Sequence, residues 1–419
     1  MISRRGTLSE DRFILVTAQG ELSLAEVAAY LNKSGAHFQV EASSSQTAIL
    51  YAPKLDAKKM MDRLGGLFKI GDAACVLHEK DVEDIDVLTE KLNNTAKFYD
   101  WVEDKARWSI STYSDETGFD TDFPALLQEY FKQRLRNDHV SKARYVPPKR
   151  TREIDQEIIA DELIRQKILD GGFEIMAAHL AGKYYVGRTL AAISNEEYRK
   201  RDLGRPVQNP RLTIPPKIAR ILINLTGLGP GQSLLDPFCG LGTILQEAAV
   251  LGLKVTGCDI RGDRVEGAAE NMKWLAETYN LKIRDVEKQV FRADAKNLSQ
   301  IIKRPIDGIA TEPILLPPLR SYPSEANATK MLQEAAETYE ETIPEMAAVL
   351  TRHGKLVLVA PYIQTNSGSK VSFNLEDVFK EAGLKLHKFT HLPSLGTPVM
   401  APPARDQKIR RGVYVLDKL

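Results

Sequence analysis

Residues 234–243, LLDPFCGLGT, decide the fold. An apolar run ends in an acid, breaks into a glycine-containing turn, and is followed by the helix-periodic stretch ILQEAAV. This is a buried strand, a tight turn and a helix start, the opening unit of a doubly wound sheet. Outward from it, KVTGCDI, QVFRAD, DGIATEP and GKLVLVAP read as further short buried strands alternating with helices. The final segments LKLHKFTHLPSL and RRGVYVLDK read as an antiparallel pair joined by a Pro-rich loop. A parallel α/β domain is therefore expected over residues 205–419.

The turn also selects its ligand. Gly240 and Gly242 allow close approach to the backbone, and the helix N-terminus offers amide donors. A dinucleotide fingerprint needs a third glycine where Leu245 stands, so no pyrophosphate seat is present. Asp236 would repel phosphate but suits the amino and sulfonium groups of S-adenosylmethionine. Asp259, at the end of the next strand, stands where an acid takes ribose hydroxyls, and Asp294 is placed to accept from the adenine amino group. With Pro237 in the turn, these residues form the expected cofactor site.

The first half reads differently. Residues 1–85 alternate short apolar runs with helices in the order β-α-β-β-α-β, a small α/β sandwich, and Ser23 with Glu26 makes a capping box for the first helix. A linking helix (DVEDIDVLTEKLNN) leads to a second α/β unit over residues 86–190. That unit contains a helix EIDQEIIADELIRQKIL and a strand pair turning at Ala181-Gly182. The 419 residues carry a net charge of +1, yet Lys132, Arg134, Arg136, Lys142, Arg144, Lys149, Arg150 and Arg152 face a single acid, Asp138, within residues 132–152. This run, with Arg199, Lys200, Arg201 and Arg205 further on, is the expected phosphate-contact surface.

The 43% hydrophobic and 27% charged shares are those of a soluble globular chain, no apolar run is long enough to span a bilayer, and the start lacks a signal-peptide core. A cytoplasmic protein without membrane contact is expected. The three cysteines and seven histidines lack metal-ligand spacing, so no metal is expected. Attack on a pyrimidine C6 requires a cysteine nucleophile; Cys239 lies in the turn and Cys258 in a strand, so that chemistry is disfavoured.

The segments LLDPFCGLGTILQEA, KVTGCDI and GAAENMKW, together with LGGLFKIGD near residue 70, residues 186–225 and ADA at 293–295, resemble the THUMP-containing tRNA guanine-N2 methyltransferases. The resemblance covers nearly the whole chain. It implies an N-terminal ferredoxin-like domain and a THUMP module that hold tRNA, followed by a Rossmann-like methyltransferase domain acting on one guanine. It leaves open a small activating subunit as a second partner.

One motif departs from the resemblance. Where the family carries Thr-Asp-Pro-Pro-Tyr, this chain has Thr311, Glu312, Pro313, Ile314 and Leu315. Thr311, Glu312 and Pro313 are expected to present the target amine, with Glu312 accepting its hydrogens. The extra methylene and the lost aromatic imply either a rebuilt pocket, with Tyr322 replacing the ring, or weaker activity. Two other readings are a tRNA-binding protein or partner subunit with reduced catalysis, and an adenine-N6 DNA methyltransferase.

Overall fold

The computed structural model describes residues 11–53, 55–95, 98, 102–115, 122–140, 142–150, 156–209, 213–283, 285–313, 315–317, 319–392, 394–402 and 408–419. The chain divides into two compact units, and these do not follow the three expected domain boundaries. The first holds the described residues up to Gly20, Ser34–Arg63 and Leu67–Glu196; the second holds Glu21–Lys33, Leu64–Gly66 and Glu197–Leu419.

The strands of the first unit are β1 (Asp11–Thr17), β2 (Gln39–Ser43), β3 (Thr47–Ala52), β4 (Leu67–Asp72), β5 (Cys75–His78), β6 (Arg107–Ser114), β7 (Arg144–Tyr145), β8 (Lys149–Arg150), β9 (Gln156–Glu157), β10 (Phe173–Leu180) and β11 (Lys183–Ala192). The segments 1–85 and 86–190 share one sheet, ordered β2-β3-β1-β4-β11-β10-β6-β7 with β5 on β11. β4 pairs with β11 and joins the two halves. The hairpin between β10 and β11 turns at Ala181 and Gly182, both with positive φ (52° and 72°), as expected.

The long helix expected over 153–169 is not formed. Helix is confined to Ala160–Arg165, Gln156–Glu157 is a strand on β8, and 151–155 lie outside the described residues. The reason is a buried polar centre that captures the Ile158 peptide: its N–H donates to Ser111 Oγ (3.0 Å) and its carbonyl accepts from Lys69 Nζ (2.5 Å). Lys69 and Glu174 are both fully buried and 2.8 Å apart, and Thr189 donates to the second carboxylate oxygen. A buried ion pair is tolerated only when its lone pairs are satisfied in this way. Thr189→Val leaves a Glu174 oxygen without its donor and is expected to cost about 1–3 kcal/mol, read by urea unfolding. A variant as stable as the parent would show that the centre does not depend on this bond.

The second unit carries β12 (Ser233–Asp236), β13 (Lys254–Asp259), β14 (Val290–Arg292), β15 (Ile306–Thr311), β16 (Leu350–Gln364), β17 (Lys370–Val371), β18 (Leu384–Leu386), β19 (Val399–Met400) and β20 (Ile409–Lys418). The sheet order is β14-β13-β12-β15-β16-β20-β18. β12 to β16 pair in parallel, whereas β20 is antiparallel to both β16 and β18, as the final segments predicted. Both faces are covered, so successive residues of β12 enter different cores. Leu234 packs with Leu222 and Leu245, and Leu235 with Tyr339 and Leu358.

Helix Glu21–Lys33 contributes Leu22 and Ala25 to the first of these cores. The expected capping box does not form as such. Glu26 is fully buried and accepts from Gly65 N (2.9 Å), Gly66 N (2.8 Å) and Asn224 Nδ2 (2.7 Å). Its carboxylate is used to tie the helix to Leu64–Gly66 and to helix Pro216–Leu225. Among the described residues no helix is long and apolar enough to cross a membrane.

Candidate active site

Strand order in the second unit reverses between β12 and β15, and ligands of open α/β sheets bind beyond the strand ends at such a point. Asp236 ends β12 and Thr311 ends β15, and the Thr311 hydroxyl donates to Asp236 Oδ1 at 2.7 Å. Thr311 is fully buried, so it does not face a target as expected; its hydroxyl is consumed in fixing Asp236. Asp236 also accepts from Phe238 N (3.2 Å).

The turn between β12 and helix Thr243–Val250 uses two left-handed residues, Gly240 (φ 52°) and Gly242 (φ 83°). Nothing lies within 4 Å of where a Cβ of Gly240 would be, so the backbone there borders open space. Asp259, 5% exposed at the end of β13, accepts from Gly240 N (3.1 Å) and Arg261 N (3.0 Å), which ties the turn to the next strand. Asp294 follows β14 and caps a short 3-10 turn through Lys296 N (3.0 Å). Pro237 places its carbonyl 3.6 Å from Cys258 Sγ. Sequence reasoning missed Ile260, which is 58% exposed beside Asp259. The signal in the sequence was an aliphatic residue directly after a strand-end acid; its exposure, which suits an apolar platform, appears only in the structure.

Burial pushes the Asp236 carboxyl from the ordinary 3.8 up to about 7, and the nearby Asp259 and Glu312 charges add to the rise, against the lowering effect of the Thr311 and Phe238 hydrogen bonds. A raised carboxyl stabilises the fold below its unfolded value, and that contribution is lost as pH rises from about 4 to about 7. Asp236→Asn is therefore expected to gain thermal stability relative to the parent between about pH 4 and about pH 7 when no donor is bound. A stability difference that does not change over that interval would contradict the raised value. Burial likewise raises the thiols of Cys239 and Cys258, the latter to about 12, so neither is a ready nucleophile.

Glu312 lies just beyond β15, and both its oxygens are engaged by one guanidinium: Arg411 Nε to Oε1 at 2.6 Å and Arg411 Nη2 to Oε2 at 3.3 Å. Pro313 follows it, half-buried; Ile314 lies outside the described residues. Leu315, at the position of the missing aromatic, packs with Leu316 and Leu319 against Ala328, Leu332, Ile363 and Ile409. The loop is thus fastened inward by apolar contacts. Tyr322 is 46% exposed, with Lys408 Nζ 5.5 Å from its ring centre. Arg411 was also missed; it stands just before the apolar run VYVL, and its partner lies 99 residues away.

The expected phosphate contacts divide. Arg136, Arg144 and Arg199 are exposed. Lys142 is exposed and pairs with Asp104 at 2.9 Å. Arg134 is partly buried, donating to Tyr130 Oη (2.9 Å) and the Leu92 carbonyl (3.4 Å). The side chains of Lys149 and Arg150, and all of Arg152, lie outside the described residues. Arg201 is a correction: it is 4% exposed, donates to Glu247 at 2.6 Å and shares that carboxylate with Arg220, so it serves the core and not a surface. Arg205, 2% exposed, donates to Thr243 Oγ1 (2.7 Å), and it too leaves the predicted surface.

Residues 205–365 match the family UPF0020, described as an RMKL-like methyltransferase domain. This segment is a methyltransferase domain. The chain is 29% identical over 210 residues to the tRNA (guanine(10)-N2)-dimethyltransferase of Methanothermobacter thermautotrophicus, covering 49% of this chain and 55% of that protein. It is 30% identical over 188 residues to the enzyme of the same name from Pyrococcus abyssi, covering 45% and 50%. The chain thus spans about half the length of the curated relatives it matches. In fold it is similar to TrmN from Thermus thermophilus, with a TM-score of 0.54 at 17% identity, covering 97% of this chain and all of that one.

The residues of the site fit S-adenosylmethionine, the donor expected from the sequence. The open space at Gly240, the acids Asp236, Asp259 and Asp294 at three successive strand ends, and exposed Ile260 combine anionic partners for a cationic donor with an apolar surface for its base.

Proposed function

We propose that this chain transfers a methyl group from S-adenosylmethionine to the exocyclic N2 of a guanine in tRNA. The observation that carries this reading is a carboxylate, Glu312, just beyond β15, with the preceding residue Thr311 bonded to Asp236 of the donor turn, so that an amine acceptor adjoins the donor seat. Similar proteins are named tRNA (guanine(10)-N2)-dimethyltransferase, which supports guanine N2 as the target.

S-adenosylmethionine supplies an electrophilic methyl group on a sulfonium centre. The chain's own part is positioning. Asp259 holds the ribose hydroxyls, Asp294 accepts from the adenine amino group, and Ile260 carries the adenine face. Asp236 faces the cationic end, and Glu312 accepts a hydrogen of the target amine so that its lone pair points at the methyl. No covalent enzyme intermediate is needed, since orientation of the two reactants accounts for the acceleration. In the first unit, strands β1 to β4 with helix Ala57–Arg63 serve as the ferredoxin-like part and the remainder as the THUMP module. Arg136, Lys142, Arg144 and Arg199 contact tRNA phosphates, fixing register without reading bases.

The test is transfer of labelled methyl from S-adenosylmethionine to unmodified tRNA, followed by nucleoside analysis. N2-methylated guanosine is the expected product. N6-methyladenosine would replace the substrate reading with the adenine-N6 alternative. Donor binding without transfer would favour a second reading, a tRNA-binding protein with a silenced site, which the engagement of Glu312 by Arg411 and the inward packing of Leu315 support.

A further inference from the structure

We infer that Arg411 is a positioning residue of the acceptor site, a fixed fork that holds the Glu312 carboxylate where an aspartate would stand unaided. This rests on the amine-acceptor reading of Glu312 given above. The side chains of Glu312 and Arg411 are each 13% exposed, and the guanidinium meets both carboxylate oxygens. Such a two-point contact fixes the plane of the carboxylate as well as its place.

Both roots of the pair are rigid. Arg411 sits in β20, where its backbone faces Pro361 of β16 and its carbonyl accepts from Ala401 N at 3.0 Å. Glu312 follows Thr311, whose hydroxyl is bonded to Asp236, and precedes a loop held down through Leu315, Leu316 and Leu319. A free glutamate has one more rotatable bond than aspartate and would sample more positions at this strand end. The fork removes that freedom.

The pairing also leaves the carboxylate able to work. An ionised carboxylate offers about four lone-pair sites, and the guanidinium occupies one on each oxygen. One site on each oxygen therefore remains to receive an amine hydrogen. The extra methylene of Glu312 and the arginine on the neighbouring antiparallel strand form one compensated arrangement, and neither is useful without the other. It follows that Glu312→Asp, which restores the more usual acid, withdraws the carboxylate by about one C–C bond, 1.5 Å, and breaks the fork.

The experiment compares the full chain with Arg411→Lys, Arg411→Ala, Glu312→Asp and the double variant Arg411→Ala/Glu312→Asp. Methyl transfer to unmodified tRNA and S-adenosylmethionine affinity by calorimetry are read in each. Arg411→Ala is expected to lower kcat by about 10- to 10²-fold, with donor affinity and the KM for tRNA within about twofold of the parent. Arg411→Lys keeps the charge but not the fork, and falls between. Glu312→Asp also loses activity, and the double variant is no worse than the poorer single one, because both changes break the same contact. Unchanged kcat in Arg411→Ala, a loss confined to the KM for tRNA, or a double variant that multiplies the two single losses would overturn the inference. A parent protein that binds donor and methylates no tRNA overturns the acceptor reading itself, and the inference with it.

Discussion

Asp259→Ala is expected to weaken S-adenosylmethionine binding by about 10²- to 10⁴-fold, from the loss of two charge-assisted hydrogen bonds at about 1.5–3 kcal/mol each. The carboxylate has two tasks in the same place. It would take the ribose hydroxyls, and it holds the turn by accepting from Gly240 N and Arg261 N. Alanine removes the ligand contacts and releases the glycine whose left-handed backbone borders the open space. Calorimetric titration with the donor reads the effect, with thermal denaturation to show that the fold survives. Asp259→Asn, which keeps one acceptor oxygen, should fall between. A loss below about tenfold would mean that the ribose does not sit at the end of β13.

Glu312→Ala is expected to lower kcat for methyl transfer by about 10²- to 10³-fold, the range seen when one preorganised polar group is removed from a reacting centre. Donor affinity should change by less than about threefold, because the fixing of Asp236 runs through Thr311 and not through Glu312. This pattern separates the two carboxylates: one variant fails in binding, the other in turnover. The alanine also leaves the largely buried Arg411 guanidinium without its carboxylate, so a fall in thermal stability accompanies the loss. Turnover within about threefold of the parent would exclude Glu312 as the acceptor of the amine.

The strand, turn and helix of the candidate donor side could be read from the chain itself because their signals are local. The strand, the acid, the turn and the helix of LLDPFCGLGT are contiguous, and the acids of the following strands recur at strand ends. The parallel core and the antiparallel close were visible for the same reason, in runs of apolar residues of strand length. The acceptor side was not, because its partners are far apart in sequence. Arg411 meets Glu312 from 99 residues away, across an antiparallel strand. Arg201 reads as a surface cation until Glu247, 46 residues on, draws it into the core. Helix propensity over 153–169 lost to a buried lysine on another strand. Composition and spacing cannot show an ion pair whose two halves are brought together by the sheet.

The interleaving of the units bears on how the protein is made. Helix Glu21–Lys33 is synthesised near the start of the chain, yet its apolar residues Leu22 and Ala25 belong to the core that helix Pro216–Leu225 and β12 complete. During synthesis the face of that helix bearing Leu22 and Ala25 lacks its partners until the chain beyond residue 225 has emerged. The methyltransferase core therefore closes late, by a contact of long sequence separation, the kind that slows folding. Residues 205–419 produced alone would expose the seat of that helix and leave Asn224 without Glu26. The amino-terminal sequence is thus a structural component of the catalytic core as well as an addition to it.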